Sequence, residues 1–297
     1  MWMPFAMSDK ELQEILARAQ ANKQAQAKNT NKEASENPLH NLADNSVTKS
    51  NALARAYYRF PIVEKRCMEA LISKLHPLRK DNDLQQITLH AYEYSQAFGV
   101  SKEAAYRDLQ TAVSSLIRTV ITINQNNGVS EILEFTVMST ARYRKKEGFV
   151  QCAFNPFIVP HLIGLREKFT SYPLQKVVSF QSSYTWRFYE ILASWAMDKK
   201  DSNGKFIGWV KSQPVDELRS MLGVPDSYSW GMFQKKVLDV ITRELREKAK
   251  IALFIENIKT VRKITHLNIS FIEDDQIEMA LEGGKTPKKK RVRKPKT

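Results

Sequence analysis

Cysteine is scarce in this chain. Cys67 and Cys152 are the only two among 297 residues, and each sits inside an apolar run. That excludes a disulfide framework and reads as two small buried hydrophobes in a reducing compartment. Long apolar runs are missing as well. No stretch approaches the roughly 20 apolar residues of a membrane span, so the sequence predicts no membrane association. The opening seven residues are too short for a signal peptide and lack its basic start. Met7 begins an equally good start, so residues 1–6 read as a start-site extension and the expected location is the cytoplasm. Metal-binding and catalytic spacings are absent too. His40, His76, His90, His161 and His266 are far apart, with no His-x-His pair and no zinc-ligand spacing. The Gly-Gly-Lys-Thr of residues 283–286 has Met279 where a phosphate-binding loop requires glycine, and no apolar strand precedes it. The sequence therefore predicts no catalytic residue, no metal and no cofactor.

Negative charge is in deficit. Lys and Arg total 46 against 32 Asp and Glu, a formal net charge of +14, with a pI of about 9.6. Such a balance favours a polyanionic partner, most commonly nucleic acid. Lys285, Lys288, Lys289, Lys290, Arg291, Arg293, Lys294 and Lys296 form a tail without an acid. Residues 287–292 have the form of a nuclear import signal, but a tail of this kind serves non-specific, salt-sensitive affinity through counterion release.

A motif then occurs twice. Residues 91–100 form a short amphipathic helix ending in Gly99-Val100, with Ser101 placed to cap a second helix striped by Leu109, Val113, Leu116 and Ile117. Residues 214–224 repeat the plan. Val215, Leu218 and Leu222 face inward, Gly223 stands at the helix end, and a longer helix over about 229–248 carries Phe233, Val237, Val240, Ile241 and Leu245. Each pair is the outline of a helix-turn-helix, whose second helix lies in the major groove of DNA. Around these units, apolar spacing at Val63, Cys67, Leu71 and Leu75 predicts a helix, and residues 86–90 predict a strand. Residues 120–123, 134–139 and 149–154 predict strands, with a basic turn carrying Arg142, Arg144, Lys145 and Lys146. Proline-flanked residues 157–169 read as helix-like, and residues 184–197 as a core helix with Trp186 and Trp195. Strands at 251–256 and 267–271 enclose a second basic turn, residues 259–263.

A helix-turn-helix followed by a hairpin is a winged helix. The expected fold class is α+β, two tandem winged-helix domains related by a pseudo-repeat. The expected organisation is a flexible polar arm at 1–46, a first winged helix at 47–168, a second at 169–275 and a disordered basic tail at 276–297. In the second unit, Gln234, Lys235, Lys236 and Arg243 lie off the apolar stripe of the recognition helix, and Ser229 and Trp230 lie at its start. Gln reads adenine and Lys reads guanine or holds phosphate. Lys102, Tyr106 and Arg107 occupy the corresponding positions in the first unit. The wings, Arg144, Lys145 and Lys146 in one and Lys259, Arg262 and Lys263 in the other, suit phosphate or minor-groove contact.

On these residues the chain resembles the iteron-binding replication initiators of theta-replicating bacterial plasmids. Residues 47–53 with Glu64 and Arg66 look like the family's opening helix. Residues 169–172 and 183–190 look like its junction between domains. Residues 215–224, Tyr228, Phe233, residues 235–238 and the wing at 259–263 look like its second winged helix. The likeness runs from about 47 to 272. Two positions depart from it. Ser229, Trp230 and Gly231 stand where relatives tend to carry a basic residue, and Val261 stands where they often have glycine. The resemblance implies monomers that bind tandem direct repeats in double-stranded origin DNA and help melt it. It implies recruitment of the host initiator ATPase and replicative helicase. It further implies dimers, joined through the first domain, that bind an operator inverted repeat and repress the gene, with host chaperones shifting dimers to monomers. It places base reading chiefly in the second domain and backbone contacts in the first. A transcriptional repressor without a replication role, and a nicking-type replication enzyme, are the alternatives.

Overall fold

A computed structural model describes residues 41–75, 86–126, 130–144, 147–196 and 206–273. The basic tail from 276 onward and the expected arm up to residue 40 lie outside these residues, whereas the arm's expected end is structured, with Leu42 and Ala43 buried in a 3-10 turn and a strand beginning at Ser46.

The first winged helix is built from α2 (Ile62–Ser73), β2 (Ile87–His90), α3 (Ala91–Phe98), α4 (Lys102–Leu116), β5 (Met138–Arg144) and β6 (Phe149–Phe154). The second is built from α5 (Ser183–Ala196), β8 (Ile207–Pro214), α6 (Val215–Leu222), α7 (Trp230–Phe233) continuing into α8 (Asp239–Ala249), β9 (Ile251–Thr260) and β10 (Lys263–Glu273). The two sheets have one topology. The order is β2-β6-β5 in the first and β8-β10-β9 in the second, antiparallel throughout. The pseudo-repeat is therefore a repeat of connectivity, helix–strand–helix–turn–helix–hairpin, carried by little residue identity.

Local chemistry explains the turns. Gly99 and Gly223 end α3 and α6 in the left-handed region, at φ +64° and +63°, where a Cβ is disfavoured and glycine is not. Ser101 Oγ accepts from the Ala104 N–H at 3.2 Å and caps α4. Ser229 does the same for α7, accepting from Met232 N–H at 3.3 Å.

The first unit also carries an insertion. β3 (Val120–Asn126) pairs with β4 (Ser130–Thr136) as a separate hairpin. The strand expected over 134–139 is thus the end of one strand and the start of another. Buried Val137 breaks it, because its N–H donates to Thr119 O at 3.2 Å and its carbonyl accepts from Asn155 N at 3.0 Å. The helix expected over 157–169 is also absent. Only one 3-10 turn, Val159–His161, forms. Gly164 and Lys168, at φ +69° and +53°, then turn the chain into β7 (Phe169–Pro173). β7 pairs antiparallel with β1 (Ser46–Ser50), which leads into the short helix α1 (Asn51–Ala54). The segment that opens the second half of the sequence is thereby stitched to the start of the first.

α5 is buried nearly all round, with Trp186, Phe188, Ile191 and Leu192 fully inaccessible. Each such side chain contributes roughly 1.5–3 kcal/mol relative to exposure. A cluster of charge is sealed beside it. Lys49 of β1, Lys65 and Glu69 of α2, and Arg187 and Glu190 of α5 are all at most 2% exposed. Lys49 Nζ lies 2.8 Å from Glu69 and 2.6 Å from Glu190, and Lys65 Nζ lies 2.7 Å from each carboxylate. Arg187 donates to Glu190 and, beyond the cluster, to the carbonyls of Ala54, Ala56 and Met221 at 2.8–3.0 Å. Met221 belongs to the second winged helix, so one guanidinium ties both units together.

Candidate nucleic-acid interface

In the second unit, α6 and the segment after Gly223 lead into the recognition helix. Arg219, half-buried on α6, holds this turn. Its guanidinium donates to Tyr228 O at 2.6 Å and Pro225 O at 3.2 Å, and lies 5.4 Å from the Phe233 ring centre. Trp230 begins the helix half-buried, edge-on to Phe233 at 5.7 Å. It is a wedge against the core whose other side borders a groove.

That groove has a volume of about 610 Å³ and lies between the start of α6, Trp230 and the β9–β10 wing. Lys259, Arg262 and Lys263 line it on the wing side, Arg219 and Asp216 on the helix side, with Thr265 and His266 between. Four permanent cations thus surround one carboxylate, a cavity suited to a phosphate chain. Lys259, Arg262 and Lys263 are exposed and bring their charge to the rim.

Gln234, Lys235, Lys236 and Arg243 are exposed along the recognition helix, off the buried stripe of Phe233, Val237, Leu238, Ile241 and Leu245. Lys236 Nζ stands 5.4 Å over the Tyr228 ring, next to the turn that enters the helix. Val240, expected in the stripe, is only half-buried. Ser229 is exposed and acts as the helix cap.

In the first unit, Lys102 and Arg107 are exposed on α4, whereas Tyr106 is half-buried against the core. Arg142 and Arg144 stand on β5 rather than at the hairpin tip, opposite Gln151 and Phe149. Arg144 is engaged with Glu147 at 2.9 Å. Lys145 and Lys146 lie outside the described residues. Lys102, Tyr106, Arg107, Arg142 and Arg144 do not line the groove of the second unit.

Sequence reasoning missed Arg219, Asp216, Thr265 and His266. Arg219 carried only the signal of a cation in the last turn of a helix, which the helix dipole already explains. Thr265 and His266 carried none, because their place in the groove depends on how the wing folds back over α6. A second omission is a polar hollow of about 480 Å³ on α4, lined by Gln110, Thr111, Ser114, Ser115, Arg118 and Thr119.

Comparison with known proteins is consistent across the chain. Residues 46–193 match the family model described as "Initiator Replication protein, WH1", and residues 214–271 match "Initiator Rep protein, WH2". An Escherichia coli replication initiation protein is 27% identical over 214 residues, covering 71% of this chain and 65% of its own length. An uncharacterised 27.6 kDa protein of Escherichia coli is 23% identical, covering 69% of this chain and 86% of its own length. Among solved structures, the Pi initiator protein in complex with iteron DNA superposes with a TM-score of 0.63 at 20% identity, covering 78% of this chain and 99% of that one. At that identity the likeness establishes the fold.

Proposed function

The chain belongs to the initiator replication protein family and is a plasmid replication initiator with two DNA-binding winged helices, and from that premise we propose that it recognises tandem repeats at a plasmid origin. The observation that carries this reading is the groove between α6, Trp230 and the second wing, where Arg219, Lys259, Arg262 and Lys263 converge beside the exposed Gln234–Lys236 face.

In this reading the second winged helix, within residues 169–275, reads bases. Gln234 and Lys235 enter the major groove, while the wing cations and Arg219 grip the flanking backbone. The first winged helix, within residues 47–168, contributes phosphate contacts through Lys102, Arg107 and the β5–β6 hairpin, and the surface that joins two copies. Fold likeness to an initiator solved on iteron DNA supports a duplex-binding reading of this fold. Monomers on direct repeats bend the origin and help open it, and the host initiator ATPase and replicative helicase then assemble there. Dimers occupy an inverted repeat and repress the gene, and host chaperones shift the balance towards monomers. Binding, not bond cleavage, is the activity, and its setting is the cytoplasm. Among the described residues no helix is long and apolar enough to cross a membrane.

The deciding experiment is selection of bound duplexes from a random pool, followed by footprinting on the best sequence. Protection of about two helical turns on one face, with that sequence repeated in tandem beside the gene, is the expected result. Binding that follows salt alone, without sequence preference, overturns it. Relaxation of supercoiled origin plasmid by the purified protein and a divalent metal would instead make it a nicking enzyme.

A further inference from the structure

The recognition helix holds one residue more than its core stripe requires. Downstream, Val237, Leu238, Ile241 and Leu245 are buried at ordinary α-helical spacing. Extended backwards at that spacing, the stripe falls on Gln234, which lies three residues before Val237, four before Leu238 and seven before Ile241. Gln234 is nevertheless exposed, and Phe233 is the buried residue. The chain resolves the conflict with a π-helical turn over Gln234–Leu238, in which the Asp239 N–H bonds to Gln234 O, five residues back. The corresponding helix of the first unit, α4, is regular over Lys102–Leu116. Of the two recognition helices, the irregularity is therefore specific to that of the second unit, beside the basic groove.

We propose that this π turn is a specificity device. It inserts a third polar side chain between Phe233 and Val237 and turns Gln234, Lys235 and Lys236 outward together. In an α-helix three successive residues span about 200°, too wide an arc to clear the core while Phe233 and the downstream stripe both remain buried. A π turn advances less per residue and narrows that arc. π turns recur at functional sites because they re-aim side chains without breaking the helix. The inference rests on the reading that this helix faces DNA bases.

Two variants separate the geometry from the charge. Deleting Val237 removes the extra residue, retains Gln234, Lys235 and Lys236, and places Leu238 four residues from Phe233 in a regular stripe. Lys236→Ala keeps the extra residue and removes one ammonium. The probes are the best duplex selected by the wild-type protein and a scrambled duplex of equal composition. Deletion of Val237 is expected to lower the preference for the selected duplex by roughly tenfold or more, at least as far as Lys236→Ala does, with affinity for the scrambled duplex little changed. Wild-type preference in the deletion variant overturns the proposal. Should that variant fail to fold by circular dichroism, deletion of Lys236 restores the same stripe while keeping Val237. It is expected to lose more preference than Lys236→Ala, and equality overturns the proposal. Failure of both deletions to fold also overturns it, because the extra residue would then serve stability. If the wild-type protein selects no sequence at all, the parent reading fails instead.

Discussion

Lys49 and Glu190 are 141 residues apart in the chain and 2.6 Å apart in the fold, with both side chains fully buried. Glu190 also accepts from Lys65, Arg187 and the Tyr172 hydroxyl. Five charged groups from β1, α2 and α5 share one solvent-inaccessible site, so each depends on the others for its stabilisation.

Replacing Glu190 by Gln leaves three buried cations facing one carboxylate. The expected loss of stability is about 3–5 kcal/mol, read from urea denaturation. A loss below about 1 kcal/mol would mean that the cluster is hydrated. Its pH signature has a definite sign. Burial opposes ionisation of Glu190, but Lys49, Lys65 and Arg187 outweigh it and hold the carboxyl well below the usual range. A depressed folded pKa gives stability that is present above the unfolded value of about 4.3 and is lost as pH falls through the folded value. The wild-type protein should therefore weaken on acidification below that point, and the Gln variant should show a shallower acid limb.

The two turn glycines should respond unequally to alanine. Both have φ near +64°, where a Cβ costs about 1–2 kcal/mol. A Cβ at Gly99 meets nothing within 4 Å, whereas one at Gly223 would stand 2.8 Å from Arg59 Cβ and 2.9 Å from Tyr58 O. Gly223→Ala should cost the larger amount, because α6 must also shift away from the Tyr58–Arg59 backbone. Equal losses in denaturation would show that this approach yields freely.

Val261 is 94% exposed at the second wing's tip, with φ +59°. A β-branched residue is strained there. Val261→Gly should raise stability by about 1 kcal/mol, and an unchanged or lowered midpoint would contradict the strain.

Lys235→Ala combined with Lys236→Ala should abolish selective binding and leave the fold intact. Both side chains are exposed, and exposed substitutions usually change stability by under about 0.5 kcal/mol. Unchanged affinity for the selected duplex would remove these residues from the interface.

Removing residues 285–297 takes away eight cations. Affinity should fall alike on every sequence, and the salt dependence should flatten by about 0.9 for each phosphate that the tail no longer neutralises. A weakening confined to the selected duplex would mean that the tail reads sequence.

Both helix-turn-helix units were legible in the sequence because their signals are local. Apolar spacing, a glycine at each helix end and a serine cap all lie within about twenty residues of one another. The second basic turn was legible for the same reason, as charge between two β-rich runs. Residues 157–169 misled because Pro156 and Pro160 suggested a helix start, while Gly164 and Lys168 turn the chain instead. What the tertiary structure alone decided lies between distant segments. Lys49, Lys65, Glu69, Arg187 and Glu190 look like ordinary surface charges until β1 pairs with β7 and α5 packs against β7. Arg219 becomes a neighbour of the wing cations only when β10 pairs with β8 and lies along α6. Periodicity follows from the geometry of a single element, but a groove or a buried charge cluster is a meeting of elements, and only the packed fold determines which of them meet.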